Sequence, residues 1–275
     1  MKNESTLKKN IRSAIFMIPG TQKLWTRWIV GKKSIYTFVG WGMATMTNPP
    51  WADPKNSLAK DFLETHDEVV KAILDGRFTI SQFEKHPDKE ELLKSLMWRH
   101  YVVFWSARYA QFSGSTNIVE CGVCDGLTVY FALRALGSQY KAWLFDAWEA
   151  MPDERLLESE KSHSGDYAYL TVEKTKKNLS KFNTEFIKGF IPESFASGKK
   201  PQDVGWLHVD LNASIPTTDS LREFYSRIPA GGVILFDDYA GKGFTDTKKA
   251  IDSFFSDKKG ILLHMPTGQG IFFKK

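Results

Sequence analysis

The 275-residue chain has only two cysteines and no long apolar run. Two cysteines build no disulfide framework, so a reducing compartment is expected. A membrane-spanning helix needs about 20 apolar residues in succession, and the first apolar run, Ala14 to Ile18, is cut by Pro19-Gly20. Neither a membrane span nor a secretory signal is expected, and the expected location is the cytoplasm. The three-glycine fingerprint of dinucleotide-binding folds is also missing, which disfavours a nicotinamide oxidoreductase.

Both cysteines lie in "IVECGVCDGLTVYFAL", residues 118 to 133, as Cys121 and Cys124. A zinc site at this Cys-x-x-Cys pair would need two more ligands, and no second such pair or nearby histidine pair exists. A thioredoxin-like site would expose its first cysteine at a helix start. Cys121 instead closes a strand that should be central, so the pair reads as small side chains that let backbone approach Gly122.

What the chain does have is an uneven charge. Residues 1 to 33 carry eight Lys/Arg against Glu4 alone, which accounts for more than the whole net charge of +5. Leu7, Ile11, Ile15 and Ile18 fall near one helical face with Lys8, Lys9 and Arg12 off it, a pattern that suits an anionic membrane surface or an acidic partner. Docking of a solvated helix on its own domain or on a sister subunit fits equally well. No nucleic-acid recognition motif accompanies the charge, so no nucleic acid is expected.

Residues 1 to 110 read as a helical N-terminal extension. Ser57 is placed to cap a helix running to Asp75-Gly76, and a longer helix is expected from Pro87 to Ser113-Gly114, its Trp98, Tyr101, Trp105 and Tyr109 forming a packing stripe. From 111 to 275 the texture changes. Strands are expected at 118–121, 142–146, 184–188, 205–210 and 232–237, with helices at 126–137, 171–181, 217–227 and 244–256. This alternation predicts an α/β fold, a doubly wound and mostly parallel sheet. The end, "GILLHM" and "GQGIFFKK" around Pro266-Thr267-Gly268, reads as an antiparallel hairpin. A hairpin closing such a sheet is a feature of Rossmann-like class I methyltransferases.

Ligands of open α/β sheets bind beyond the carboxyl ends of the strands. Here those ends are acidic: Glu120, Asp146, Asp210 and Asp237-Asp238. Any one of them is explained by a helix cap or a turn. Four such tips together are not, because clustered carboxylates repel one another and are costly to desolvate. Gly122 permits close approach to a ligand and Gly126 starts the next helix. Glu120 beside them suits a cationic donor such as S-adenosylmethionine. Asp146, 20 residues after Gly126, is placed to accept ribose hydroxyls, and Trp148 to cover an adenine face. Lys188-Gly189-Phe190 supplies a second wall. Cys121, Val123, Thr128 and Ala147 complete the expected donor-binding set. Asp210, Asp237 and Asp238 form an oxygen-rich set that suits Mg²⁺, with Asp210 also a candidate general base. Structural Asp-Asp capping is the alternative. The polar segment "MPDERLLESEKSHSGDYAYL" (151–170) is either a substrate lid or a disordered loop. His208 reads as a core imidazole and His264 as a structural one within reach of the acidic group.

The motifs "VECGVCDG", "FDAWEAMP", "IKGFIPESF", "LHVDLN" and "RIPAGGVILFDDY", in this order, resemble the macrocin O-methyltransferase (TylF-type) family from about Ile118 to the C-terminus. The resemblance implies a Mg²⁺-dependent class I enzyme that transfers a methyl group from S-adenosylmethionine to a sugar or small-molecule hydroxyl. It makes Asp210, Asp237 and Asp238 the metal ligands and Asp210 the base, with Glu120, Gly122 and Asp146 at the donor. The chain departs from the family at Cys124-Asp125, where an aromatic and a basic residue are usual. It departs again at Asn212-Ala213-Ser214-Ile215, where Asp-Leu-Tyr-Glu is usual, and at Thr267, where an acid is expected. These departures leave the acceptor open. They also keep two other readings in play: a metal-independent methyltransferase, and a non-catalytic binding protein on the same scaffold.

Overall fold

The computed structural model describes residues 49–53, 55–81, 84 and 86–275. The basic stretch 1–33, with its expected membrane, partner or sister-subunit contact, lies outside the described residues. Residues Pro50–Lys275 form one compact unit. Among the described residues seven α-helices precede or punctuate the sheet: α1 Ser57–Leu74, α2 Lys89–Ser95, α3 Met97–Tyr109, α4 Leu127–Leu136, α5 Val172–Asn178, α6 Ser214–Phe224 and α7 Thr245–Phe255. The strands are β1 Asn117–Cys121, β2 Lys141–Asp146, β3 Thr184–Lys188, β4 Trp206–Val209, β5 Val233–Phe236, β6 Gly260–His264 and β7 Gly270–Lys274. All the expected strands form. No described helix is long and apolar enough to cross a membrane.

The seven strands make one sheet in the order β3-β2-β1-β4-β5-β7-β6. The first five are parallel, and β7 runs antiparallel between β5 and β6. The chain winds outward from β1 in both directions, so the strand order reverses between β1 and β4, where a doubly wound sheet opens a crevice. The parallel strands read as unbroken apolar runs because helices cover both faces. One face packs Phe62, Phe104, Phe131 and Trp206 under α1, α3 and α4. The other packs Phe145, Phe224, Phe236 and Ile251 under α6 and α7. Each fully buried aromatic or aliphatic side chain of this kind contributes about 1.5–3 kcal/mol.

Several helix boundaries differ from expectation: α6 starts at Ser214 and not at 217, α5 ends at Asn178 and not at 181, and two differences fall in the N-terminal helices. The cap of α1 is Asn56, whose side chain accepts from the Leu58 and Ala59 amides at 3.0 and 3.4 Å, and not Ser57. The long helix expected after Pro87 is two helices. The Leu96 amide bonds the carbonyls of both Leu92 and Leu93, which tightens the turn and separates α2 from α3. Of the aromatic stripe on α3, Tyr101 is buried, while Trp98 and Tyr109 are partly exposed and pack on Trp51 and Phe273 with ring centroids 4.8 and 5.0 Å apart.

His100, on α3, is buried with its ring stacked on Phe131 at 4.4 Å, and its Nδ1 has no partner. Burial pushes its pKa down from 6.5 to about 3. The unfolded chain therefore takes up this proton first. Stability from the neutral ring is complete above pH about 6.5 and is lost as the pH falls toward 3, by about 2 kcal/mol between 6.5 and 5. Urea unfolding at pH 7.5 and pH 5 should show that His100→Phe loses about that much less than the parent on acidification. Equal losses in the two proteins would contradict it.

Candidate active site

The donor loop is built from residues with unusual backbone. Gly122 (φ 85°), Cys124 (φ 52°) and Gly126 (φ 85°) all lie in the left-handed region, which costs a non-glycine residue about 1 kcal/mol or more. Asp146, at the tip of β2, holds the loop in that shape. Its Oδ2 accepts from the Val123 and Cys124 amides at 2.7 and 2.9 Å, and its Oδ1 from the Trp148 amide at 2.6 Å. Burial pushes the Asp146 carboxyl up, and the three amides pull it back. The Cys124 carbonyl is fixed as well, accepting from Thr175 Oγ1 at 2.6 Å and Trp148 Nε1 at 3.1 Å.

A cavity of about 510 Å³ opens beyond this loop. Among the expected donor residues, Gly122, Asp146, Ala147, Gly189 and Phe190 line it, and Asp210 faces the same space from the tip of β4. Cys124, outside the expected donor-binding set, lines it too. Burial raises both thiols, Cys121 to about 12, which fits packing residues and not a redox pair.

The other expected donor residues do not line the cavity. Cys121 and Val123 are buried beneath it, and Gly126 and Thr128 lie at the start of α4. Glu120 is 1% exposed. Parallel pairing sets it opposite His208, and the two side chains meet on the buried face, Oε1 to Nδ1 at 2.7 Å. Burial raises the Glu120 carboxyl, and His208 lowers it. Strand parity thus directs Glu120 into the core, short of the position expected for a donor contact. Trp148, expected over an adenine face, is also buried, its indole donating to Cys124 and Thr175. It braces the loop from below.

Asp210, Asp237 and Asp238 do converge, one oxygen of each lying within 4.8 Å of the others. Asp210 borders the cavity, and the other two stand behind it. Burial, then Asp237 and Asp238, raises Asp210 well above the ordinary carboxylate range. Burial and Asp237 push Asp238 up to about 6. Three carboxylates this close share their charge poorly, and a hard cation with oxygen preference fits the donor set. His264 is exposed, against Tyr239 at 5.7 Å.

Arg99 and Gln269, which sequence reasoning did not single out, contact the acidic group. Arg99 pairs with the Asp237 carboxylate, and Gln269 Nε2 donates to Asp237 Oδ1 at 3.0 Å. The segment 151–170 is ordered over the cavity in two short 3-10 turns, Asp153–Arg155 and Glu158–His163. Arg155 forms two bonds to Glu193 at 2.9 and 2.7 Å and lies over Phe190. Buried Glu160 accepts from the Ser214 amide at 2.8 Å, capping α6. Asn212 Nδ2 donates to the Tyr167 hydroxyl at 3.0 Å.

A doubly wound sheet with β7 reversed between β5 and β6, carrying a glycine loop at β1 and acids at neighbouring tips, defines a methyltransferase scaffold. Residues 110–275 match the family model described as Macrocin-O-methyltransferase (TylF), and the chain belongs to that family of O-methyltransferases. Similar solved structures include the O-methyltransferase NovP, with 17% identity, 65% of this chain and 80% of that chain covered, and a TM-score of 0.57. The calicheamicin methyltransferase CalS11 shares 17% identity over 86% of this chain and 99% of its own, with a TM-score of 0.51. An apo structure of CalS11 is described as a TDP-rhamnose 3'-O-methyltransferase; it matches at 15% identity over 77% of this chain and 93% of its own, with a TM-score of 0.50. No curated protein matches the chain.

Proposed function

We propose that the chain transfers a methyl group from S-adenosylmethionine to a hydroxyl of a small molecule, sugar or glycoconjugate, with Mg²⁺ held by Asp210, Asp237 and Asp238. The observation that carries this reading is that the donor loop and Asp210 face one cavity. The donor, when bound, would supply an activated methyl group, and a cation held by these aspartates would lower the pKa of the acceptor hydroxyl. The remaining work falls to the chain. Gly122 lets the β4 tip approach closely enough for Asp210 to border the cavity, and Asp146 fixes the loop amides while keeping unused acceptor capacity on Oδ1 for a ribose hydroxyl. Asp210, which borders the cavity, takes the acceptor's proton on its carboxylate. Segment 151–170 excludes water, and Leu156, Leu157, Ile215 and Pro216 offer the acceptor an apolar wall. O-methylation agrees with the family's description, and a sugar hydroxyl with the acceptor named for CalS11.

The metal-independent reading has one observation in its favour: Asp237 already holds a cation, Arg99. Calorimetric titration with S-adenosylmethionine and its demethylated product, in Mg²⁺ and in EDTA, separates the readings. Binding of both, with turnover only in Mg²⁺, is expected. Absence of binding would remove the methyl-donor assignment, and full turnover in EDTA would remove the metal.

A further inference from the structure

Both carboxylate oxygens of Asp237 are already engaged by the chain. Oδ1 accepts from Gln269 Nε2, and Oδ2 is paired with Arg99. Arg99 extends from the first turn of α3 and is fixed at two further points. Nη1 donates to the Thr267 carbonyl at 2.8 Å, and Nη2 to the Asp237 carbonyl at 3.2 Å. The guanidinium is thus tied to the β5 tip and to the β6–β7 turn at once.

Charge balance shows what this cation does. Three carboxylates and one divalent ion leave one negative charge in a site partly withdrawn from water, where unbalanced charge is costly. A single guanidinium at fixed geometry cancels it. We infer that Arg99 is the built-in counter-cation of the acidic group, a positioning residue that holds Asp237 and sets the site's charge so that a divalent ion leaves it neutral. The inference rests on the metal reading above. It also explains how Asp237 can keep an arginine partner and still serve as a ligand: each carboxylate oxygen has more than one lone pair.

The consequence is selectivity by ion charge. Removing Arg99 makes the site more negative by one unit, which favours a trivalent ion over a divalent one. Binding of Mn²⁺ by calorimetry and of Tb³⁺ by luminescence should be compared in the full chain, Arg99→Gln and Arg99→Lys. Arg99→Gln should raise the ratio of Tb³⁺ to Mn²⁺ affinity by about ten-fold or more, and Arg99→Lys should leave it within a few-fold. Gln269→Glu adds a negative charge on the opposite side of Asp237 with Arg99 intact. It should shift the ratio in the same direction, and so keeps the test decisive if Arg99→Gln does not fold. A purely structural Arg99 would weaken both ions alike. An unchanged ratio in Arg99→Gln and Gln269→Glu overturns the inference and leaves the metal reading standing. Failure of the parent chain to bind either ion overturns both.

Discussion

Replacing Asp210 with asparagine should lower turnover by about 10³-fold while leaving affinity for S-adenosylmethionine within a few-fold. Asparagine keeps the shape of the side chain but neither accepts the acceptor's proton nor carries the charge that a cation needs. The donor contacts proposed for Gly122, Asp146, Gly189 and Phe190 come from other strands and are untouched. Stability separates this result from simple damage. In the parent chain burial, Asp237 and Asp238 all disfavour an ionised Asp210, so neutralising it relieves repulsion, and the metal-free variant should melt no lower than the parent. Turnover, donor calorimetry and thermal unfolding on one preparation test all three statements. Loss of donor affinity in step with turnover would assign Asp210 to donor binding instead. Retained turnover would remove it from the chemistry.

What the sequence could disclose followed from how far apart the cooperating residues lie. The strand tips were legible because a parallel strand is an apolar run that ends in a turn, so "LFDAWE", "LHVDLN" and "ILFDDY" announce where Asp146, Asp210 and Asp237 emerge. Strand parity was the signal missed for Glu120. Counted back from Cys121 and Val209, Glu120 and His208 fall on the same face in adjacent strands, which is enough to pair them in the core. Trp148 could not be placed this way, because its position depends on Thr175, in a helix beyond the whole 151–170 segment. Arg99 is further from view still: it reaches Asp237 from α3, across 138 positions of chain, and nothing local marks it among the aromatic residues around it. The order of segment 151–170 depends on tertiary anchors at Glu193, Ser214 and Asn212, which a polar, acidic sequence does not reveal.

Gly122→Ala should be the most damaging single-methyl change in the described chain. At φ 85° an alanine is strained by about 1 kcal/mol on its own, but the larger cost is steric. A Cβ at this position would stand 1.7 Å from the Asp210 carbonyl oxygen and 2.6 Å from its carbon. Those are backbone atoms, and they have little room to retreat. The Asp210 amide donates to the Cys121 carbonyl at 2.9 Å, and the Gly122 amide to the Phe145 carbonyl at 2.8 Å, so β1, β2 and β4 are laced together at this point. Relieving the clash requires breaking one of those bonds or moving the β4 tip, which carries Asp210 away from the cavity. A loss of about 3 kcal/mol or more in stability is expected, together with loss of donor binding and turnover. Gly198→Ala provides the comparison, since Gly198 has a similar φ of 74° with nothing within 4 Å of the added methyl. It should show the strain alone, about 1 kcal/mol, and retain activity. Urea unfolding of both variants beside donor calorimetry decides the matter. If the two variants lose equal stability and both still bind the donor, the close approach of β1 to β4 at Gly122 is not what shapes this site.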